Sequence, residues 1–323
     1  MPNASSPPSA DTPSRDAAAA ALRLKRRLAQ LRRVFDLDAI AEDHPAPAQV
    51  VDYFHQNFHP YRRYHSAAGS MHMALNPEGR FDEDGFFGQA RRIDALWQQS
   101  APAAALELAF GKGINLAYLA PRWPQVRLAG LDLTPRNVQH AQTLPELAGA
   151  SLQCGDLHSL PFEPASFDCL YSIEGFCYAT DVPRALSEQA RVLRPGGTVV
   201  LFDGYRERPL SAMTADESLA VRLVEKAMAV EEFQEVDVLI AQAAEAGLDL
   251  VSNESLIDAV MPNFGRMDRM AGYFLIVPAL TRRWLAARSA QRGRNLVAAA
   301  LGLHTGRLGL HGYRQLVFRK RGG

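Results

Sequence analysis

The order of apolar and polar residues divides the chain into stretches with different periods. Between Ala17 and Phe35, the residues Leu24, Leu28, Leu31 and Phe35 recur at helical spacing, while Arg23, Lys25, Arg26, Arg27, Arg32 and Arg33 fill most other positions. That pattern predicts an amphipathic helix with a basic face. From about Pro45 to Gln99 the helical period continues, interrupted by two aromatic-dense segments, DYFHQNFHPYRRYHS and GSMHMALNPEGRFDEDGFF. Near Ala104 the period changes. AALELAF, VRLAGLDL, SLQCGD, FDCLYSI and TVVLFD are short apolar runs of strand type, and GINLAYLA, TPRNVQHAQTL and VPRALSEQARVL between them have helical spacing. Thr134 is placed to cap the second of these helices with Pro135 at its first position. Leu186, Ala190 and Leu193 share one face of the third. Pro195-Gly196-Gly197 turns the chain into the last strand. Strand–helix alternation at this spacing specifies a parallel sheet covered on both faces.

After Asp203 the pattern loosens. ESLAVRLVEKAMAVEEF and VDVLIAQAAEAGL read as helices, DLVSNESL as a strand, Gly265 to Leu303 as an arginine-rich helical stretch, and YRQLVFRK as a final strand. No internal repeat is found. The expected organisation is a disordered tail over 1–16, too poor in apolar residues to build a core; N-terminal helices and an active-site cap over 17–99; a ligand-binding core over 100–256; a helical insertion forming an acceptor pocket over 257–310; and a closing strand over 311–323.

Composition narrows the classes. With 47% hydrophobic and 22% charged residues in 323, and a formal net charge of zero, the chain reads as an ordinary globular protein with no global attraction to nucleic acid. Cys154, Cys169 and Cys177 follow no paired spacing and read as reduced thiols of a cytoplasmic protein. No apolar run reaches the roughly 18–20 residues that span a bilayer, and no secretory apolar region follows the first methionine. The basic helix is either the solvated face of a docked helix or a peripheral contact with an anionic membrane. A targeting presequence is a third reading, opposed by Asp11 and Asp16. His55, His59, His65 and His72 lack the acidic or Cys companions of a metal site, so no metal is expected. His72 stands in a segment placed to cover the site. The sequence does not set the oligomeric state.

The first strand of the alternating region ends in LELAFGKG, where Glu107, Gly111 and Gly113 give E-x-x-x-G-x-G. Glycine lets the chain turn sharply from strand to helix while a ligand lies against bare backbone. The next strand ends at Asp132, suited to bonding ribose hydroxyls, and the third at Gly155-Asp156. All three acids fall at the carboxyl edge of neighbouring strands, where open α/β sheets bind ligands. A dinucleotide fingerprint needs Gly or Ala where Leu116 stands. A ligand without pyrophosphate fits better.

These residues carry a family resemblance. ALELAFGKG, GLDLTPRNVQHA, LQCGDLHSLPFEPASFDCLYSIE and DVPRALSEQARVLRPGGTVVLFD resemble, in order, the motifs of class I S-adenosylmethionine-dependent methyltransferases. The match runs from about Ala104 to Asp203. It implies a Rossmann-like α/β fold with a seven-stranded sheet, mostly parallel with an antiparallel last strand, and S-adenosyl-L-methionine as cofactor. By that resemblance Glu107, Gly111 and Gly113 frame the methionine half, with Ala109 at the place of the usual first glycine. Asp132 holds the ribose, Asp156 with Leu157 meets the adenine, and Leu133 belongs to the same set. Ser172 and Glu174 lie beside the methyl group.

The acceptor class follows from what comes after the fourth strand. The Asn/Asp-Pro-Pro-aromatic motif common in nucleic-acid amino methyltransferases is absent, and Ser172-Ile173-Glu174-Gly175 stands there instead. The stretch more closely resembles sterol C-methyltransferases and related isoprenoid and quinone enzymes, which often read Tyr-x-Ile-Glu-Ala; Gly175-Phe176 departs from that pattern. Ser70-Met71-His72 echoes an upstream segment of the same group. The resemblance implies methyl transfer to a lipophilic small molecule, with carbon favoured as the receiving atom. Glu174 then stabilises a carbocation or takes its proton, and Tyr171, Phe176 and Tyr178 add cation–π stabilisation. Glu174, His72 and Tyr178 are the candidate catalytic residues. Other readings stay open. Glu174 can hydrogen-bond backbone amides or the N-terminal cap, or serve as base in O- or N-methylation of an aromatic metabolite. The chain can also be a cofactor-binding scaffold without catalysis, to which Ala109 points. Met261, Phe264, Met267, Met270 and Phe274 are suited to an adaptable apolar pocket.

Overall fold

The computed structural model describes residues 15–45, 47–60, 65–286 and 290–322. The expected tail lies outside these residues except for its last two, which open the first helix. The N-terminal part contains α1 (Arg15–Arg32), α2 (Leu37–Ala41), α3 (Pro47–Pro60) and α4 (Gly88–Ser100). The alternating region follows as β1 (Ala104–Leu108), α5 (Ile114–Leu119), β2 (Arg127–Asp132), α6 (Pro135–Ala141), β3 (Ser151–Cys154), β4 (Phe167–Ile173), α7 (Val182–Val192) and β5 (Leu193–Arg206). Then come α8 (Ala215–Ala227), α9 (Val236–Glu245), β6 (Leu248–Ser255), α10 (Ile257–Leu275), α11 (Pro278–Ala286), α12 (Ala290–Arg307) and β7 (His311–Lys320).

The seven strands lie in the order β3-β2-β1-β4-β5-β7-β6, and β7 runs antiparallel to both its neighbours. The expected sheet is therefore present. Its central strands are buried on both faces, which is why they read as continuous apolar runs. Leu106, Leu108, Leu170, Val199 and Leu201 point to the side covered by α7 and α9. Ala105, Tyr171, Ile173, Val200 and Phe202 point to the other side, with Trp97, Leu116 and Val138.

A third apolar core lies outside the sheet and crosses the divisions expected from sequence. Leu24, Leu28 and Leu31 of α1 pack with Ala220, Leu223 and Val224 of α8 and with Val297, Ala300 and Leu301 of α12. The stripe of α1 is thus spent on docking, and its basic side faces outward. α8 is anchored to the sheet by Arg206, whose guanidinium makes a two-pronged bond of 2.7 Å on each arm to the buried Glu225. The expected single helical stretch after Gly265 is divided among the described residues at Pro278, which opens a new helix at its first position.

The carboxyl edge of the sheet holds an unusual pair. Ala109 and Glu174, just beyond the adjacent β1 and β4, have φ of 55° and 52°. Left-handed backbone costs a residue with a Cβ roughly 1–2 kcal/mol, and such strain gathers at functional sites. Gly175 makes room for it: a Cβ there would lie 2.4 Å from the Cβ of Ala109. The two departures from the family pattern noted above are one contact. Gly175→Ala is expected to cost about 1–3 kcal/mol by overpacking, and Ala109→Gly in the same chain to recover most of that loss. Denaturant unfolding of the two single variants and the double variant measures this; strictly additive effects would separate the two positions.

Candidate active site

The loop after β1 is held by the end of β2. Asp132 accepts hydrogen bonds from the Gly111 amide at 2.7 Å, the Thr134 amide at 2.8 Å and the Asn137 side chain at 3.1 Å. The φ of 58° at Gly111 allows that approach. Burial pushes the Asp132 carboxyl up, against the lowering effect of these bonds. Asp132, Leu133, Ala109 and Gly111 line a cavity of about 720 Å³, as do Asp156 and Leu157 at its rim. Burial pushes Asp156 up, but hydrogen bonds from the His158 amide and ring outweigh it and hold the carboxyl below its ordinary value.

Three expected cofactor residues stand one layer behind the wall. The carboxyl of Glu107 is buried, faces Asn115 at 3.3 Å and the Tyr171 hydroxyl at 3.2 Å, and is pushed up to about 8 by desolvation. Gly113 packs towards Leu147 and Ala141. Ser172 is buried beneath Gly175. All three shape the loops from below.

The segment from His65 to Asn76 closes over the glycine loop. Met71 sets its methyl where it would clash at 2.5 Å with a Cβ on Gly111. Lys112 of the loop reaches out to the Phe58 carbonyl of α3 at 2.5 Å and lies 4.2 Å over the Phe58 ring. The core returns the contact through Glu174, whose Oε1 accepts a hydrogen bond of 2.6 Å from the Met73 amide. Of the readings open for this carboxylate, bonding to a cap amide is the one the geometry displays. Tyr313 of β7 lines the same cavity close to this carboxyl. Gln89 of α4 donates to the Met73 carbonyl at 2.8 Å and to the Tyr313 hydroxyl at 2.9 Å. Desolvation pushes Glu174 up to about 8, and nearby Asp203 up to about 6. Sequence reasoning missed Gln89 and Tyr313, which no motif marks and which only the folded sheet brings to Glu174.

The other two candidate catalytic residues also line the cavity. His72 is buried and pushed down to about 4 by desolvation, so its ring is neutral near pH 7. Its Nδ1 faces the Met73 carbonyl at 3.2 Å, and its Nε2 is turned to Asn115 without meeting it at hydrogen-bond geometry. Tyr178 donates its hydroxyl to the Met228 carbonyl at 3.1 Å and presents its ring edge to Phe54. That hydroxyl is thereby tied to structure.

Beyond Glu174 the cavity becomes apolar. Tyr53, Phe54, Met228, Met267, Met270 and Phe274 form its walls. Phe264 joins them, whereas Met261 packs on Gly306 instead. Among the described residues, the lining acids are Asp132, Asp156, Glu174, Asp203, Glu231 and Glu232, and Lys112 is the one Lys or Arg. No three His, Cys, Asp or Glu side chains among the described residues are grouped to hold a metal ion.

Comparison with known proteins agrees with this geometry. Residues 106–201 match the model of a methyltransferase domain. A phthiotriol/phenolphthiotriol dimycocerosates methyltransferase of Mycobacterium leprae is 38% identical over 30% of this chain and 36% of its own length. A 24-methylenesterol C-methyltransferase of Oryza sativa is 25% identical over 60% of this chain and 53% of its own length. The chain thus spans between about a third and about half of the length of these curated relatives. Among solved structures, the cyclopropane synthase MmaA2 of Mycobacterium tuberculosis superimposes with a TM-score of 0.68 over 86% of this chain and all of its own, at 14% identity. Strand order, acidic carboxyl edge and domain match agree: residues 106–201 are similar to a methyltransferase domain, on a fold shared with solved methyltransferase-like structures.

Proposed function

We propose that this chain transfers a methyl group from S-adenosylmethionine to carbon of an uncharged lipophilic small molecule of the sterol, isoprenoid or quinone class. The observation that carries this reading is the position of Glu174. Its half-buried carboxyl stands where the acidic cofactor edge meets the apolar chamber, fixed by the Met73 amide with Tyr313 close by. The names of relatives that act on lipids and sterols point to the same class of acceptor.

The residues present fit the cofactor. Among the described residues six acids and one engaged lysine line the cavity; Glu231 and Glu232 are paired with Lys226 and Arg206, and Asp132 and Asp156 at the sheet edge favour a cation. They oppose a diphosphate or carboxylate acceptor, which leaves neutral lipophiles. Asp132 would hold the ribose with the lone pairs that the loop amides leave free, and Asp156 with Leu157 would flank the adenine. Glu107 positions the loop through Asn115. Bound there, S-adenosylmethionine supplies a methyl group on a positively charged sulfur. A cation bound on that edge would draw Glu174 toward its ionised form. That carboxylate then stabilises positive charge developing on the acceptor and accepts the proton its neighbouring carbon sheds. Met71 and the cap exclude water from the transfer.

One observation favours a second reading, transfer to oxygen: the neutral His72 lines the cavity, and its Nε2 lacks a hydrogen-bond partner. A group held near 4 is a weak base at neutral pH, so Glu174 is the better proton acceptor. The variants separate the readings. On an acceptor drawn from a panel of sterols, quinols and polyprenols, Glu174→Gln should lower kcat by about 10²-fold or more with cofactor Kd nearly unchanged. His72→Gln should lower it far less. The reverse order would assign the proton to His72, and a fully active Glu174→Gln would leave the carboxylate a structural clamp.

The ionisation of Glu174 also has a signature in stability. Its folded value of about 8 lies above the ordinary 4.5. The folded state is therefore unpenalised below about pH 4.5 and progressively destabilised as pH rises toward 8, where the unfolded chain already carries the charge. Glu174→Gln cannot ionise. Its Tm relative to the parent should rise steadily between pH 5 and 8, and a pH-independent difference would contradict a desolvated carboxyl.

A further inference from the structure

The outer end of the apolar chamber is built by α10 and α11. Phe274 and Trp284 line it, with ring centroids 5.1 Å apart. Immediately outside, Tyr273, Ile276, Val277 and Leu280 are exposed by 74%, 70%, 46% and 64%. Single exposed apolar side chains are ordinary, but this many at one helix corner form a patch that marks an interaction site. The corner is well tied. Thr281 is buried, its hydroxyl bonds to the carbonyls of Phe274 and Val277, and the Leu280 amide bonds to Val277 at 3.1 Å. The exposure belongs to the folded conformation.

The surroundings of the patch are basic. Between Ala259 and Ala286 the sequence holds Arg266, Arg269, Arg282 and Arg283 against a single acid, Asp268. That carboxylate is matched by Arg27 at 2.7 Å and faces His304 at 3.4 Å. Arg269, Arg282 and Arg283 are exposed. Arg282 also donates to the Arg33 carbonyl at 3.0 Å, which brings the exposed Arg32 and Arg33 beside the corner. Leu24, Leu28 and Leu31 of α1 are buried, so beside the corner α1 offers chiefly charge.

We propose that the α10–α11 corner docks on an anionic lipid bilayer. Tyr273, Ile276, Val277 and Leu280 enter the interfacial layer, and the flanking arginines meet lipid phosphates. Apolar burial and basic charge are the paired signals that stable peripheral binding requires, and a tyrosine suits the headgroup level. The docked corner opens the chamber to the bilayer past Phe274 and Trp284, so the acceptor need not cross water. This route rests on the lipophilic-acceptor reading, whereas the docking itself does not.

The test is flotation of the full chain with vesicles of phosphatidylcholine, with and without phosphatidylglycerol. The parent should bind the anionic vesicles and be released by salt, as screened charges require. Tyr273→Ser/Ile276→Ser/Leu280→Ser should bind at least about tenfold more weakly, with cofactor Kd by calorimetry and Tm unchanged. Arg282→Gln/Arg283→Gln should lose preference for the anionic vesicles. A parent that stays in solution at low salt, or a triple variant that binds like the parent, overturns the proposal. A parent dimer in sedimentation velocity that the triple variant dissolves, with vesicle binding unchanged, would assign the patch to a second copy. Vesicle binding by a protein that does not bind S-adenosylmethionine would retain the docking surface and remove the proposed function.

Discussion

The hydrogen bond between the Glu174 carboxyl and the Met73 amide, 2.6 Å long, ties the two halves of the molecule together at the point where chemistry is proposed. A carboxyl taken out of water is costly unless it is hydrogen-bonded. The cap supplies a donor in the Met73 amide, and Tyr313 of β7 stands close by. The burial that makes the bond strong also raises the carboxyl toward neutrality, so one feature serves both closure and proton exchange. Gln89 bonds to both the Met73 carbonyl and the Tyr313 hydroxyl, which keeps cap and sheet in fixed relation around the acid.

The same constraint accounts for the strain at the sheet edge. Ala109 and Glu174 are both left-handed and sit across neighbouring strands. Glu174 turns its side chain toward the cap, and Gly175 leaves room for the Ala109 methyl. On sequence alone Ala109 pointed to a cofactor-binding scaffold without catalysis. In the fold it is matched by a neighbour of complementary size, which removes steric conflict as the ground for that reading.

Much of the architecture was legible because it rests on local chemistry. Short apolar runs and helical spacing located the alternating elements, and Thr134 with Pro135 marked a helix start as observed. Acids at strand ends located the edge of the sheet that lines the cavity. What escaped were pairings between distant segments. The helical period of α1 showed a stripe at Leu24, Leu28 and Leu31 but not that α8 and α12 would cover it. Tyr313 and Gln89 lie in ordinary strand and helix patterns and become site residues only through the sheet order. Glu107, Gly113 and Ser172 were expected at the cofactor and stand behind the wall, since a motif fixes residues to a loop without saying which face they present.

An acidic, cation-accepting edge joined to an apolar chamber that, among the described residues, has Lys112 as its one Lys or Arg sets the proposed substrate chemistry. Its most direct measurement is the fate of the methyl label when the protein is incubated with methyl-labelled S-adenosylmethionine and paired acceptors, neutral sterols, quinols and polyprenols against their diphosphates. The account predicts label in the organic phase, bound to carbon of a neutral member, with S-adenosylhomocysteine formed in step. Label appearing only on diphosphates or on water-soluble acceptors would contradict it.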